Sequence, residues 1–220
     1  MLTPNPNPSH TPTPTPTPTP TSSKAVDLVT SIDDTRFCIS SEGNVWVFSS
    51  AQDLILEVKL HNSPIIGISS YKSFLISASE DSKIRSYDEQ AKTSKELYSH
   101  ITNITAFDLH SSGLVATTCS DKVLKVFNLE TNKTLDCNLK DKVWSLKFVS
   151  NKFLAIGDQS GVLTVVSCIK LDEVKFCKKL HEERIKHLAL SPDKKLLTTS
   201  SFDCVSRVLE TVGFEDLHVI

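Results

Sequence analysis

Histidine, serine and aspartate recur in the same order along this chain. His61 precedes Ser79 and Asp81, and His181 precedes Asp203 at a similar distance. A hydroxyl, an imidazole and a carboxylate in hydrogen-bond contact can activate a nucleophile, as in serine hydrolases. Because the pattern returns once per repeat, it favours a structural hydrogen-bond network instead. The predicted network residues are His61, Ser79, Asp81, His100, Asp121, His181 and Asp203.

Other motifs for chemistry are missing from the sequence. It contains no G-x-G-x-x-G, no G-x-x-x-x-G-K-[ST] and no G-x-S-x-G nucleophile turn. His181-Glu182 begins like a zinc-protease motif, but Ile185 stands where the second metal-binding histidine belongs. We therefore expect no catalytic residue, cofactor or metal ion, and an enzyme has no positive support.

Cysteine usage and net charge limit the classes of partner. The 6 cysteines form no C-x-x-C pair and are interpreted as small apolar core residues in a reducing compartment, with disulfide or metal roles less favoured. The formal net charge of -2 gives no electrostatic reason to expect nucleic acid or an anionic membrane. No stretch approaches 18 consecutive apolar residues, so no membrane span is expected.

A repeat of about 40 residues organises the chain from residue 25 onward. Apolar residues that open a strand fall at steps of 39, 39, 39 and 42: Val26, Ile65, Ile104, Val143 and Ile185. Turn residues recur in phase with them: Glu42, Asp81, Asp121, Ser160 and Asp203. Short alternating segments bounded by Gly, Pro, Asp and Ser predict four antiparallel strands in each unit. The predicted units are 25–60, 61–98, 99–139, 140–180 and 181–220.

The fourth unit departs most from the pattern. Leu139 replaces the histidine and Ser160 replaces the turn aspartate. We therefore expect apolar packing to hold this unit in place of a polar network. The residues expected to supply that packing are Trp144, Phe148, Phe153 and Leu154.

These features together resemble the WD-repeat family. In WD-repeat proteins a Trp-Asp pair closes the third strand of each unit. The residue pairs at this position here are Phe48-Ser49, Tyr87-Asp88, Phe127-Asn128, Val166-Ser167 and Leu209-Glu210. The resemblance implies an all-β propeller of five four-stranded blades that binds protein partners and carries no reactive groups. It also implies that the histidine, a strand serine and the turn aspartate tie neighbouring strands together, with Tyr87 in the position of the tryptophan.

The last two units resemble a narrower group, the prolactin regulatory element-binding protein family. Its members are endoplasmic-reticulum exchange factors for the Sar-type GTPase that starts COPII coat assembly. The similar features are Ala155-Ile156-Gly157, Lys179-x-His181, Ser191-Pro192-Asp193 and Ser201-Phe202-Asp203 followed by Arg207. That family has seven blades and a Gly-rich loop that contacts the GTPase, and nothing in residues 1–60 matches this loop, so no exchange-site residue is carried over.

Two functional hypotheses follow. One is an exchange-factor-like protein with a Sar-type small GTPase as partner, located in the cytoplasm at the cytosolic face of the endoplasmic reticulum. The alternative is a scaffold in another assembly, such as a ribosome-biogenesis or ubiquitin-ligase complex. For this scaffold the nucleus is an alternative location.

The two ends of the chain carry further expectations. Residues 1–24 hold 8 of the 10 prolines and predict an extended arm with polyproline II character, which is either a passive tail, a ligand for an aromatic groove or a phosphorylated spacer. Five units are fewer than the usual seven. We therefore predict an open arc in which Val26–Leu28 and Phe214–Ile220 do not pair, and which self-associates or recruits a strand-donating partner.

Overall fold

The computed structural model describes residue 26 and residues 28–220. Within these residues the chain forms strands and turns, without a helix and hence without a helix that could span a membrane. The proline-rich arm predicted for residues 1–24 lies outside the described residues.

Twenty strands form five antiparallel sheets of four consecutive strands each. Sheet 1 comprises β1 (Leu28–Ser31), β2 (Arg36–Ser41), β3 (Asn44–Ser49) and β4 (Leu54–Lys59). Sheet 2 comprises β5 (Ile65–Tyr71), β6 (Phe74–Ser79), β7 (Lys83–Asp88) and β8 (Thr93–Ser99). Sheet 3 comprises β9 (Ile104–Leu109), β10 (Leu114–Cys119), β11 (Val123–Asn128) and β12 (Lys133–Asn138).

The last two sheets follow the same order. Sheet 4 comprises β13 (Val143–Phe148), β14 (Phe153–Asp158), β15 (Val162–Ser167) and β16 (Val174–Lys179). Sheet 5 comprises β17 (Ile185–Leu190), β18 (Leu196–Ser201), β19 (Ser206–Glu210) and β20 (Asp216–Val219). The predicted all-β fold of five four-stranded sheets is confirmed.

The first and last strands begin later than the sequence pattern predicts. β1 starts at Leu28, and Val26 precedes it in an irregular, exposed conformation. β20 starts at Asp216, because Phe214 has a φ of 55° within a turn and its ring lies 5.1 Å from that of Phe176. Phe214 therefore packs against sheet 4 and does not extend β20.

Neighbouring sheets pack face to face, and their first strands line the inner side of the arc. Each sheet has a trailing face toward the preceding sheet and a leading face toward the next one. In sheet 2, Leu75 and Tyr87 lie on the trailing face, in one apolar core with sheet 1. Ile76 and Ile84 lie on the leading face, in a second core with sheet 3. Alternation along each strand produces this division.

The described residues form four apolar cores, one between each pair of consecutive sheets. Five sheets in a closed ring would need a fifth core. β1 pairs with β2 alone and β20 with β19 alone, and no backbone hydrogen bond joins sheet 1 to sheet 5 in the described chain. The prediction that the two ends of the chain do not pair is confirmed for the described residues.

Candidate interaction surfaces

The histidine, hydroxyl and carboxylate groups meet in sheet 2. His61 Nδ1 lies 3.1 Å from both carboxylate oxygens of Asp81, and His61 Nε2 lies 2.8 Å from Ser77 Oγ. Burial lowers the pKa of His61 despite the neighbouring carboxylate, so the imidazole is neutral. Its Nδ1–H then donates to Asp81, and Nε2 accepts from the Ser77 hydroxyl. Ser77 is fully buried, which leaves no access for a substrate carbonyl.

Ser79, the serine named from the sequence, supports the turn and does not bond the histidine. Its hydroxyl accepts the backbone N–H of Asp81 at 3.2 Å and donates to the carbonyl of Pro64 at 2.8 Å. The hydroxyl that bonds His61 belongs to Ser77, two residues earlier in β6. Ser79 therefore positions Asp81, and Asp81 in turn orients the imidazole.

Sheet 5 repeats this arrangement. His181 Nδ1 lies 3.0 Å from Asp203 Oδ2, and His181 Nε2 lies 2.7 Å from Thr199 Oγ1. Burial alone would raise the pKa of Asp203, but backbone N–H donors from Val205 and Glu182, together with His181, lower it to about 2. Ser201, at the place of Ser79, accepts the backbone N–H of Asp203.

Sheet 3 carries the same residue types in a different arrangement. His100 Nε2 lies 2.8 Å from Thr117 Oγ1, but Asp121 is exposed, and in the described structure His100 Nδ1 has no carboxylate partner. Cys119 occupies the place of Ser79 and Ser201. The Asp121 backbone N–H instead donates to Thr102 Oγ1. Without a serine hydroxyl at the end of β10, the carboxylate is not turned toward the imidazole.

A tyrosine from the neighbouring sheet joins the sheet 3 network. The Tyr98 hydroxyl lies 3.0 Å from Thr117 Oγ1, and burial raises the pKa of Tyr98 well above its usual value. This contact was not predicted from the sequence, because Tyr98 lies near the end of β8 in the preceding sheet. Tyr87, predicted in the tryptophan position, is buried in the core between sheets 1 and 2.

Sheet 4 combines apolar packing with a polar tie of its own. Phe148 and Leu154 lie in the core between sheets 3 and 4, and Phe153 packs against the core between sheets 4 and 5. Ser160 Oγ donates to Asp141 Oδ2 at 2.5 Å across the turn. Trp144, which we expected to contribute to this packing, lies instead on the inner surface and is half-buried.

A β-bulge explains the position of Trp144. The pairing of β13 with β14 skips from Val143 to Ser145, so the intervening residue is unpaired and its side chain is redirected. The first strands of sheets 2, 3 and 5 have an irregularity at the same place. The four residues placed by these bulges, which all line one cleft, are Ile66, Thr105, Trp144 and Lys186.

Cations surround Trp144 at this cleft. Lys142 Nζ lies 4.4 Å from the centre of the tryptophan ring, Arg184 Cζ 4.9 Å and Lys186 Nζ 5.1 Å. Arg184 also lies 4.0 Å from the ring of Phe202, which is 53% exposed. We call these five residues the Trp144 cluster. Within the described chain no carboxylate lies within ion-pair distance of its three cations.

The cleft extends across the inner surfaces of sheets 2 to 5, with a volume of about 600 Å³. Lys147 lines it as well, but its Nζ is neutralised by Asp108 at 2.7 Å. Glu80 is a further carboxylate of the lining, so the cationic character of the cleft concentrates at Lys142 and Lys186, between sheets 4 and 5.

The cysteines differ in burial along the chain. Burial raises the pKa of the Cys38 thiol to about 11 and that of Cys168 to about 12, which suppresses the reactive thiolate. Cys177 and Cys204 are exposed, so the prediction that the cysteines are buried does not hold for them. Among the described residues, no group of His, Cys, Asp and Glu could hold a metal ion.

Comparison with known protein families finds the WD domain, G-beta repeat model at residues 91–128 and 174–208. No curated protein matches the chain. Each matched segment begins at the start of, or just before, the fourth strand of one sheet and ends in the third strand of the next, so one sequence repeat spans two sheets. Such repeats indicate a protein-interaction scaffold. The matched segments cover part of the chain, and together with the five four-stranded sheets they support a WD-repeat family and are consistent with a five-bladed β-propeller whose end sheets are not joined by backbone hydrogen bonds among the described residues.

Proposed function

We propose that this chain is a non-enzymatic interaction module that binds an acidic segment of a protein partner at the Trp144 cluster. The observation that carries the proposal is the convergence of Lys142, Arg184 and Lys186 on one half-buried tryptophan ring. Like charges held together repel each other, and an anionic ligand would relieve that repulsion. Carboxylates would bind the cations, while apolar parts of the segment would contact Trp144 and Phe202.

Fluorescence of Trp144 offers a direct test. Trp46→Phe leaves Trp144 as the one remaining tryptophan, because the chain has 2. An oligoglutamate peptide should change the emission of Trp144 in a saturable and salt-sensitive way, and a matched oligoglutamine peptide should not. Tighter binding of an oligonucleotide of equal length at the same salt concentration would contradict the proposal.

Charge-matched variants separate the cluster from the overall charge. Lys142→Ala, Arg184→Ala and Lys186→Ala combined should weaken peptide binding by about tenfold or more. The control removes the same number of charges from the exposed outer strand β16, by Lys175→Ala, Lys178→Ala and Lys179→Ala. Equal losses in the two triple variants would show that binding does not depend on the cluster.

A narrower candidate is nucleotide exchange on a Sar-type GTPase at the cytosolic face of the endoplasmic reticulum. It is supported by the resemblance in the last two repeats. Several of the resembling residues, however, make contacts that the fold itself requires: Gly157 packs against Ser145 and Ile185, and Ser191 Oγ donates to Asp193 at 2.6 Å. The rate at which a Sar-type GTPase releases labelled GDP, measured with and without this protein, tests this candidate. An equal rate in both cases would contradict it.

A further inference from the structure

The two ends of the arc differ in chemistry. Every sheet has a trailing pair, two residues paired across its second and third strands on the trailing face: Phe37–Phe48, Leu75–Tyr87, Val115–Phe127, Leu154–Val166 and Leu197–Leu209. In sheets 2 to 5 both members of this pair are buried by the preceding sheet. Phe37 and Phe48 occupy the same place in sheet 1 and are half-buried.

The trailing face of sheet 1 is apolar beyond this pair. Ile39 and Trp46 pair across β2 and β3 beside the two phenylalanines, and Val29 extends the row onto β1 with 63% exposure. The rings of Phe37 and Phe48 stack on each other at 5.3 Å. A contiguous apolar face of this kind on a soluble chain marks an interaction site.

The leading face of sheet 5 is more polar at its central pair, although Leu196 and Val208 lie on the same face. The equivalent leading pairs are Ser40–Val45, Ala78–Ile84, Thr118–Leu124, Gly157–Leu163 and Ser200–Ser206. The second member is a fully buried aliphatic residue in sheets 1 to 4 and a serine in sheet 5. Thr198, beside this pair, is exposed. Sheet 5 therefore resembles a terminal repeat whose polar outer face tolerates water.

This asymmetry restricts how copies of the chain can associate. Head-to-tail contact would press the apolar face of sheet 1 onto the hydroxyls of sheet 5, which would lose hydrogen bonds to water. Contact between two sheet 1 faces buries apolar surface on both sides and is closed by a two-fold axis. We propose that two copies of this chain pair through the trailing faces of their first sheets and form a β-sandwich across the dimer axis.

The size and charge of the face suit this arrangement. Four strands of four to six residues cover roughly 400 Å² in outline, below the roughly 800 Å² per partner that stable complexes bury, which fits a weak dimer that forms as the concentration rises. Glu57 and Lys59 alternate onto the same face at its β4 margin. One acid and one base at the rim allow a two-fold partner to pair each with its opposite.

Mass measured by light scattering after gel filtration, from micromolar to submillimolar concentration, tests the proposal on the full chain. The wild-type protein should approach twice its 24.3 kDa chain mass as the concentration rises. Phe48→Glu should weaken dimerisation by more than about tenfold, because a buried interface would receive an unpaired charge. Thr198→Glu places the same charge on the polar end face, where it should leave the dimer unchanged.

A second measurement does not depend on the Glu variants folding. Trp144→Phe leaves Trp46 as the reporter, and its emission should shift to shorter wavelength as the concentration rises. This inference is independent of the acidic-peptide proposal, because the Trp144 cluster lies between sheets 4 and 5. A wild-type monomer throughout the range would overturn the dimer and leave the face for a different protein. Loss of the dimer in Thr198→Glu, with Phe48→Glu unaffected, would overturn it in favour of head-to-tail contact.

Discussion

Asp81 accepts a hydrogen bond from the buried imidazole of His61, whereas Asp121, at the same place in the next repeat, is exposed to solvent. The two aspartates follow the same strand and turn. They differ in the residue two positions earlier, which is Ser79 in one case and Cys119 in the other. A hydroxyl that accepts the N–H of the turn thus decides whether the carboxylate reaches the histidine.

Asp81→Ala and Asp121→Ala should differ in their effect on stability. The first removes the acceptor of His61 Nδ1–H and of two backbone N–H groups, from Asn62 and Lys83. We expect the free energy of unfolding to fall by about 1–3 kcal/mol. The second removes an exposed carboxylate and should change it by about 0.5 kcal/mol or less. Urea denaturation of both variants measures the difference, and equal losses would contradict a structural role for the aspartate–histidine pair.

The protonation of His100 should make stability depend on pH. Burial and the nearby charge of Lys125 lower the pKa of His100 from 6.5 to about 4. The folded state disfavours the charged imidazole. The stability that the neutral imidazole allows is therefore fully present above pH 6.5 and is lost as the pH falls toward 4. The loss should amount to about 3 kcal/mol.

His100→Leu provides the comparison for that pH dependence. Leu139 already occupies the equivalent place before sheet 4, and the Thr117 hydroxyl would keep its contact with Tyr98. Between pH 6.5 and 4 the free energy of unfolding of the variant should fall by about 3 kcal/mol less than that of the wild-type protein. Parallel curves of unfolding free energy against pH would show that His100 is not the group responsible.

The sequence predicted the fold well because the repeat period is a global signal. Residues such as Ile65 and Ile104 recur in phase, and no single substitution hides the pattern. Local geometry was harder to predict. Ser77 and Ser79 are two residues apart in one strand, so alternation alone cannot tell which of them reaches His61. The bulge at Trp144 adds an unpaired residue without changing the period, which made a surface residue look like a core residue.

The repeat count predicted that the two ends do not pair. Which side chains lie on the outer faces of sheets 1 and 5 could be determined only from the strand register. Phe37 and Phe48 look like ordinary core residues in the sequence, and their exposure follows from having no preceding sheet among the described residues. Ser200 and Ser206 become informative once they are paired across β18 and β19 and compared with the aliphatic residues of the other sheets.

Gly161 should be far less tolerant of alanine than Gly213. Both have positive φ, 79° and 86°, so each substitution incurs a similar backbone cost of about 1 kcal/mol. A Cβ on Gly161 would lie 2.0 Å from the carbonyl oxygen of His181, whereas nothing lies within 4 Å of a Cβ on Gly213. The His181 backbone N–H also donates to the Gly161 carbonyl, so this contact cannot relax freely.

Thermal unfolding of Gly161→Ala and Gly213→Ala separates the two costs. The Gly161 variant should lose roughly 2 kcal/mol more than the Gly213 variant, because overpacking adds to the backbone strain. Similar melting temperatures for the two variants would show that the segment around His181, which joins sheets 4 and 5, can shift to accept a side chain at position 161.

The polar leading face of sheet 5 should be what stops the chain from associating at that end. Thr198→Ile combined with Ser206→Leu would give sheet 5 aliphatic residues that sheet 2 carries at these two places, Ile76 and Ile84. Both ends would then be apolar, and head-to-tail contacts could extend without closing. We expect light scattering to show species heavier than those of the wild-type protein at equal concentration. The control, Thr198→Ser with Ser206→Thr, keeps the hydroxyls and should match the wild-type protein. An unchanged mass distribution in the aliphatic variant would mean that the shape of the sheet, and not its polarity, prevents association at this end.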